Sequence, residues 1–341
     1  MQIGKFDTNK KVFIIAELSA NHGGDIQIAL DTIYAAKEAG ADAIKLQTYT
    51  ADTLTIDCRK EDFIIKSGTL WDNKNFYELY KEAYTPWQWH EELFKYARSL
   101  DLEVFSSPFS KEAVDFLEQF NPCAYKIASF EITDYELIKY TAKKQKPIII
   151  STGIAKIDEI LDVVEICKKV GNNDIALLKC TSAYPAPLED ANLRTISNMK
   201  ETFGVEVGFS DHTLGIVAPV VAVSLGARII EKHFILDKSI KSADNQFSLD
   251  KKEFSQMVKA VRDAEKLIGE VNYIPKNGRN FARSLYVVKD IPKNGIITEE
   301  NVRSIRPGYG LHPKYLPQIL GKRVNKDLKK GDRMDLRYIK D

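Results

Sequence analysis

The residues that could do chemistry in this sequence are two histidines, two lysines, three glutamates and a run of serines, each placed where a short apolar stretch gives out. His212 follows Ser210-Asp211, and His233 follows Glu231-Lys232. Two imidazoles brought together suit a divalent metal ion. Glu231 is in phase with His233 and is a possible third ligand, although water or substrate could fill that position. A metal short of protein ligands has room for chemistry. Earlier in the chain, Glu17 closes an apolar run, and burying a lone carboxylate is costly. It therefore needs either a partner, such as a lysine from a neighbouring strand, or a catalytic task.

Lys45 and Gln47 are two apart, as are Ser129 and Glu131, and Lys126 precedes both. Side chains two apart on a strand share a face. Serines recur at five consecutive run ends: Ser107, Ser129, Ser151, Ser182 and Ser210. With two lysines they resemble a cradle for a small anion, because hydroxyl and ammonium donors suit phosphate and carboxylate oxygens. His90 lies beside Trp87 and Trp89 in a helical segment and reads as packing or surface. Cys180 has no paired base nearby in sequence and reads as inert.

These groups need a scaffold that gathers strand ends. The first ~270 residues supply one, repeating a short β-branched run followed by a helix-period stretch. The expected strands are 12–16, 43–47, 102–106, 124–127, 147–150, 175–179, 205–209 and 228–234. Helices are expected over segments such as 26–39, 111–119, 157–170 and 254–268. Eight such units predict an α/β fold of the (β/α)8 TIM-barrel type, whose catalytic groups sit at the C-terminal strand ends. An open doubly wound sheet would place a glycine-rich dinucleotide loop after the first strand, and Glu17-Leu18-Ser19-Ala20-Asn21-His22-Gly23-Gly24 does not fit it. The segment 52–82 reads as an insertion over the barrel mouth.

The division expected is a catalytic barrel over 1–270, a linker over 271–284 and a small β-rich domain over 285–341. The linker holds Pro275, Asn277 and Gly278, which are turn and loop residues. The last domain holds a weak repeat, Lys289-Asp290-Ile291 before Gly295 and Lys326-Asp327-Leu328 before Gly331. Between the copies, Arg306-Pro307-Gly308-Tyr309-Gly310 reads as a functional loop. His312 just after it suits either a site-lining or a structural role.

The 341 residues carry 49 basic and 48 acidic side chains, a balance that gives no support for a nucleic-acid-binding surface. No apolar run reaches the ~20 residues of a membrane span, and the polar start lacks a secretory signal. Four cysteines without disulfide or zinc spacing suit a reducing cytoplasm.

The motifs, taken in order, resemble the sialic acid synthase family. Ala16-Glu17-Leu18-Ser19-Ala20-Asn21-His22-Gly23-Gly24 looks like that family's first loop. Lys45-Leu46-Gln47-Thr48, Ser107-Pro108-Phe109, Lys126-Ile127-Ala128-Ser129, Ser151-Thr152-Gly153, Cys180-Thr181-Ser182-Ala183-Tyr184-Pro185, Ser210-Asp211-His212-Thr213 and Glu231-Lys232-His233-Phe234 follow. The last domain resembles the family's antifreeze-like (SAF) domain. Within the family, the first loop is most similar to the branch whose product is pseudaminic acid. Ser242-Ala243-Asp244 departs from the Gly-Pro-Asp usual in other branches, and some of them carry asparagine where this chain has Ser182.

The resemblance implies a transferase that condenses phosphoenolpyruvate with an open-chain amino sugar, here 2,4-diacetamido-2,4,6-trideoxy-L-altrose, with C–O cleavage and phosphate release. The alternative within the family is an N-acetylmannosamine-type sugar. It implies that phosphoenolpyruvate lies against Lys45, Ser107, Lys126, Ser129, Ser151, Ser182 and Ser210. Mn2+ or Mg2+, with Co2+ as a third candidate, would sit on His212 and His233. Glu17, Lys126 and Glu131 are the candidate catalytic residues, with Glu17 foremost for proton transfer. Asn21, Gln47, Tyr184, Asp244 and Arg306 are candidate sugar contacts. Ala20, Ala183, Ala243 and Phe247 lie on loops that could line an apolar pocket for the deoxy methyl. The resemblance also implies a domain-swapped homodimer in which Arg306 arrives from the partner. Outside the family stand a metal-free aldolase using Lys45 or Lys126 as a Schiff base, and a non-catalytic sugar-binding or ice-binding protein.

Overall fold

Inward and outward residues alternate along every main strand, and that alternation builds the molecule. In the computed structural model, residues 1–340 are described except 67, 69 and 70. Eight parallel strands close into a barrel: β3 (Phe13–Glu17), β4 (Ala43–Thr48), β5 (Glu103–Pro108), β6 (Tyr125–Ile127), β7 (Ile148–Ser151), β8 (Ile175–Cys180), β9 (Glu206–Asp211) and β10 (Ile229–His233), with β10 returning to β3. Each begins or ends within one or two residues of the segment expected from the sequence. The expected (β/α)8 fold is therefore the observed one.

Two hydrophobic layers follow from the period of two. Ile14, Ala16, Ile44, Val104, Ile150, Leu177 and Ile230 pack outward against the helices. Phe13, Ile15, Ala43, Phe105, Ala124, Ile149, Leu178 and Ile229 pack inward and fill the lower barrel. Ascending the same inward columns, the next residues are polar: Glu17 above Ile15, Lys45 above Ala43, Ser107 above Phe105, Lys126 above Ala124, Ser151 above Ile149, Glu231 above Ile229. A dry floor thus supports a polar mouth.

The floor is closed by a short hairpin that the sequence did not announce. β1 (Gln2–Ile3) pairs with β2 (Phe6–Asp7), and Ile3 is fully buried within the inward layer.

The helices are set by their caps. Asp25 accepts from Gln27 N ahead of α1 (Ile26–Glu38), in the register expected. Asp250 and Glu253 form a reciprocal capping box at the start of the long helix Lys251–Ile268. Between β4 and β5 the segment 52–82 carries α2 (Ala51–Leu54) and α3 (Phe76–Ala83). The expected insertion spans this segment, and its residues 67, 69 and 70 lie outside the described ones.

The chain divides into two compact units, 1–269 and 270–341. The second has its own small core around Leu285, Val287, Ile297, Val302 and Val324. Its strands β11 (Ser284–Val287) and β12 (Val302–Ile305) pair antiparallel. The two copies of the sequence repeat pair with each other, with Ile291 N donating to Leu328 O (2.8 Å) and Leu328 N to Ile291 O (2.9 Å).

Candidate active site

At the barrel mouth the two lysines and two glutamates form one buried network. Lys45 pairs with Glu17 on the adjacent strand and lies 3.4 Å from Glu231 Oε1. Lys126 Nζ reaches the same Oε1 at 2.6 Å, and Ser210 Oγ donates to it at 3.1 Å. Lys45 Nζ also donates to Ser107 Oγ at 3.3 Å. All four charged side chains are at most 5% exposed as residues. Burial opposes the charge on Glu231, but Lys126 and Lys45 beside it outweigh that and hold its carboxyl below the usual range. Burial brings Lys45 down to about 7, against the pull of Glu231 and with help from Lys126. Glu231 Oε2 and both oxygens of Glu17 are buried without a geometrically sound hydrogen bond, so acceptor capacity stays open in the mouth. The ion-pair reading of Glu17 holds, with Lys45 as the partner.

Glu131 stands on the turn after β6. Burial is the main reason its carboxyl is pushed up to about 7; Lys126 and Lys45 act the other way. The same carboxylate helps raise the Tyr80 hydroxyl on α3 to about 12, after burial. The insertion therefore brings Tyr80 into the electrostatic range of the mouth.

The serines do converge. Ser129 Oγ and Ser182 Oγ are 2.7 Å apart, and Ser151 Oγ is buried with no partner. Gly153 sits against this group: a Cβ there would come 2.2 Å from Ser182 Oγ and 2.6 Å from Ser129 Oγ. Its backbone needs no left-handed conformation, so space alone demands the glycine. Spacing alone gives Gly153 no such role, because the clash is with side chains at the ends of other strands.

His212 and His233 end up side by side, their ring centroids 5.4 Å apart. His212 Nδ1 lies 2.9 Å from Thr181 O. A carbonyl can only accept, so Nδ1 carries the proton and Nε2 keeps a free lone pair. Burial, then the neighbouring His233, pushes the His212 pKa down to about 3, leaving a neutral ring at neutral pH. His233 Nδ1 is buried without a hydrogen bond of good geometry and lies 3.5 Å from Asp244 Oδ2. Both rings thus present nitrogen acceptor capacity, which is what a divalent ion requires. Among the described residues no three His, Cys, Asp or Glu side chains form a ready ligand set. Glu231 Oε1 is committed to the lysines and Ser210.

Aromatic rings wall this corner. Tyr184 packs on His212 at 4.3 Å between centroids, and Phe247 packs on Tyr184 (5.2 Å) and His233 (4.9 Å). From the insertion, Trp71 packs on Tyr184 at 5.5 Å, and its Nε1 donates to Ala243 O at 3.3 Å. The expected cover over the mouth thus includes Trp71, which the sequence reading had not singled out.

The remaining sequence candidates fall into place as follows. Asn21 is fully buried, donates to Phe234 O (2.9 Å) and Ser248 Oγ (2.8 Å), and accepts from Ser242 Oγ. Its side chain braces the loop that carries Asp244. Gln47 is half-buried at the end of β4. His90 is a satisfied core histidine, bonded to Thr48 Oγ1 at 2.8 Å. Cys180 is buried 3.8 Å from His212 Nδ1, and burial pushes its thiol up, in keeping with an inert role. Arg306 is exposed in the second unit, on a loop held by Ser284 Oγ, which donates to Pro307 O and accepts from Gly310 N. His312 caps a short turn there by accepting from Lys314 N.

The NeuB family matches over residues 32–273 and a SAF domain over residues 282–332. The chain is 56% identical over 336 residues to a Campylobacter jejuni protein named pseudaminic acid synthase, covering 97% of this chain and 98% of that one. It is 51% identical to the pseudaminic acid synthase of Helicobacter pylori, covering 93% and 94%. A solved spore coat polysaccharide biosynthesis protein from Bacillus subtilis superposes with a TM-score of 0.68 at 32% identity, covering 100% of this chain and 99% of that one. With its barrel, its motifs in order and its trailing domain all accounted for, this chain belongs to the NeuB family.

Proposed function

We propose that the chain condenses phosphoenolpyruvate with open-chain 2,4-diacetamido-2,4,6-trideoxy-L-altrose to give pseudaminic acid and phosphate. One observation carries the reading: two lysines, a serine cradle and two adjacent imidazoles converge at one barrel mouth, in a chain 56% identical to a protein named pseudaminic acid synthase.

The chain's own groups divide the work. Lys45, Lys126 and the hydroxyls of Ser107, Ser129, Ser151, Ser182 and Ser210 would hold the phosphate and carboxylate oxygens. An arriving anion competes for Lys45, and Glu17 is thereby released to accept or give a proton. Carbon 3 of phosphoenolpyruvate bonds to the aldehyde carbon. Water then adds at carbon 2, and phosphate leaves with its bridging oxygen. Gln47, Tyr184, Asp244 and Arg306 would orient the sugar. Asn21 acts by holding the Asp244 loop. Glu131, with a pKa near neutrality, suits proton exchange with the new hydroxyl. His212 and His233 would hold a divalent ion, which would supply Lewis-acid polarisation of a carbonyl oxygen. Mn2+, Mg2+ and Co2+ are the candidate ions.

Two further parts of the proposal rest on the surface. From 267 to 281 the chain exposes Leu267, Ile268, Val271, Tyr273, Ile274 and Phe281. Apolar side chains in such number along one segment mark an interaction surface, and a second copy of the chain in a swapped homodimer would cover them. The four cysteines are free, which suits a reducing cytoplasm. No helix among the described residues is long and apolar enough to cross a membrane.

The test is product mass spectrometry and kcat/KM for phosphoenolpyruvate with a panel of acetamido sugars. The diacetamido sugar should win by orders of magnitude. Comparable kcat/KM for N-acetylmannosamine would overturn the sugar assignment and leave family membership untouched. His233→Ala should abolish Mn2+-dependent phosphate release in a folded protein. Full activity of a metal-free sample would remove the metal from the scheme, and a borohydride-trapped lysine adduct would favour an aldolase.

A further inference from the structure

Behind the two histidines, on the side of the barrel wall away from the mouth, lies an ion pair that the chemistry above does not use. Lys232 is 0% and Asp211 1% exposed. They are register partners on β10 and β9, and Lys232 Nζ lies 2.6 Å from Asp211 Oδ2. Lys232 Nζ also donates to Thr213 O, while Asp211 Oδ1 accepts from Thr213 N at 2.8 Å. One ammonium therefore holds the residues on both sides of His212, and it belongs to the residue immediately before His233.

We propose that Lys232 and Asp211 are positioning residues that fix His212 relative to His233. The physical argument is one of necessity. Burying two charges is expensive, and apolar residues of similar volume are commonly as stable or more so. A pair sealed between two strands thus earns no place through stability alone. What it supplies is direction: Asp211 and Lys232 point outward, so His212, just past the strand end, and His233, one residue on, are presented toward the mouth. His212 is tied at three further points, by Thr181 O on its ring, by Ala186 N on its carbonyl (2.9 Å) and by the turn through Thr213. The tie across to β10 is made by Lys232. Supporting partners of metal-binding histidines typically alter affinity about 10- to 100-fold when removed.

The proposal rests on the two-histidine metal reading, and the experiment separates the two. The probe is Mn2+ alone, titrated calorimetrically into the metal-free protein. The test variant is Asp211→Asn combined with Lys232→Met, which removes both charges and keeps an acceptor for Thr213 N. Its thermal midpoint should stay near wild type while its Kd for Mn2+ rises at least tenfold. A purely structural pair would move the midpoint and leave the Kd of the folded protein unchanged. Should the double variant fail to fold, Lys232→Gln carries the comparison, because its shorter amide can still donate to Thr213 O only by drawing the His212 turn closer. Wild-type Mn2+ affinity in whichever variant folds overturns the proposal. If the wild type itself binds no Mn2+, the metal reading fails instead. Positioning is then judged by NMR cross-relaxation between the two imidazoles: unchanged ring contacts in the variant overturn it, and lost contacts support it.

Discussion

Ser129 and Ser182 face each other with their hydroxyl oxygens 2.7 Å apart, and Gly153 leaves them the room to do so. Gly153→Ala should therefore displace both hydroxyls without straining the backbone. Overpacking of about 1–3 kcal/mol corresponds to about 5- to 150-fold in binding. The expected result is a rise of that size in KM for phosphoenolpyruvate, with a smaller effect on KM for the sugar. An unchanged KM for phosphoenolpyruvate would place the anion elsewhere.

Glu131 gives a prediction readable without substrate. Its carboxyl is raised to about 7 in the folded protein by burial, against about 4.3 in the unfolded chain. The folded state therefore holds the extra proton between those values, and stability from this group is lost as pH rises through the window. Glu131→Gln copies the protonated form. The unfolding free energy of the variant should match wild type near pH 4.5 and exceed it increasingly up to pH 7, by about 3 kcal/mol there. A difference that stays flat from pH 4.5 to 7.5 would contradict the raised pKa.

In the proposed reaction, attack by water at carbon 2 fixes the fate of oxygen. Run in 18O-labelled water, the reaction should give unlabelled phosphate and a labelled keto acid sampled before solvent exchange. Label in phosphate during turnover would show P–O cleavage, and the cradle would then have to expose phosphorus rather than carbon to water.

Arg306 lies on a glycine-flanked loop braced by Ser284, in a unit joined to the barrel through an exposed segment. Arg306→Ala and Glu17→Ala proteins, each inactive, should regain part of the activity when mixed and allowed to exchange subunits. One site of each mixed dimer then keeps both residues. Mixed dimers that form and stay dead would show that the arginine does not act in trans.

Much of this was legible in the sequence because the barrel repeats one physical rule. Apolar runs of four to six residues must be buried on both faces, and their polar last residues must face the one open end. That rule placed Lys45, Lys126, Glu231 and His233 without any structure. What escaped it had no period to betray it. The strands Gln2–Ile3 and Phe6–Asp7 are two residues each, too short to show alternation. Lys232 and Asp211 lie one residue out of phase with the mouth, so the pattern that reveals Glu231 and His233 hides them. Trp71 and Tyr80 come from an insertion whose sequence follows neither strand nor helix spacing throughout. Asn21 is a candidate sugar contact from its motif alone, but its three bonds reach residues more than 200 positions away, and no local pattern records such partners.

The closed floor of the barrel has a consequence for traffic. With Ile3 sealed into the apolar bottom layer, the mouth is both entrance and exit. The groups assigned to phosphoenolpyruvate lie mostly on the strands themselves, and those assigned to the sugar mostly on the loops beyond them. A corridor with one door imposes a queue: under the proposed assignment the anion, lying deeper, would enter before the sugar. Under the same assignment, phosphate released from the strand ends can leave only past the loops that would hold the sugar.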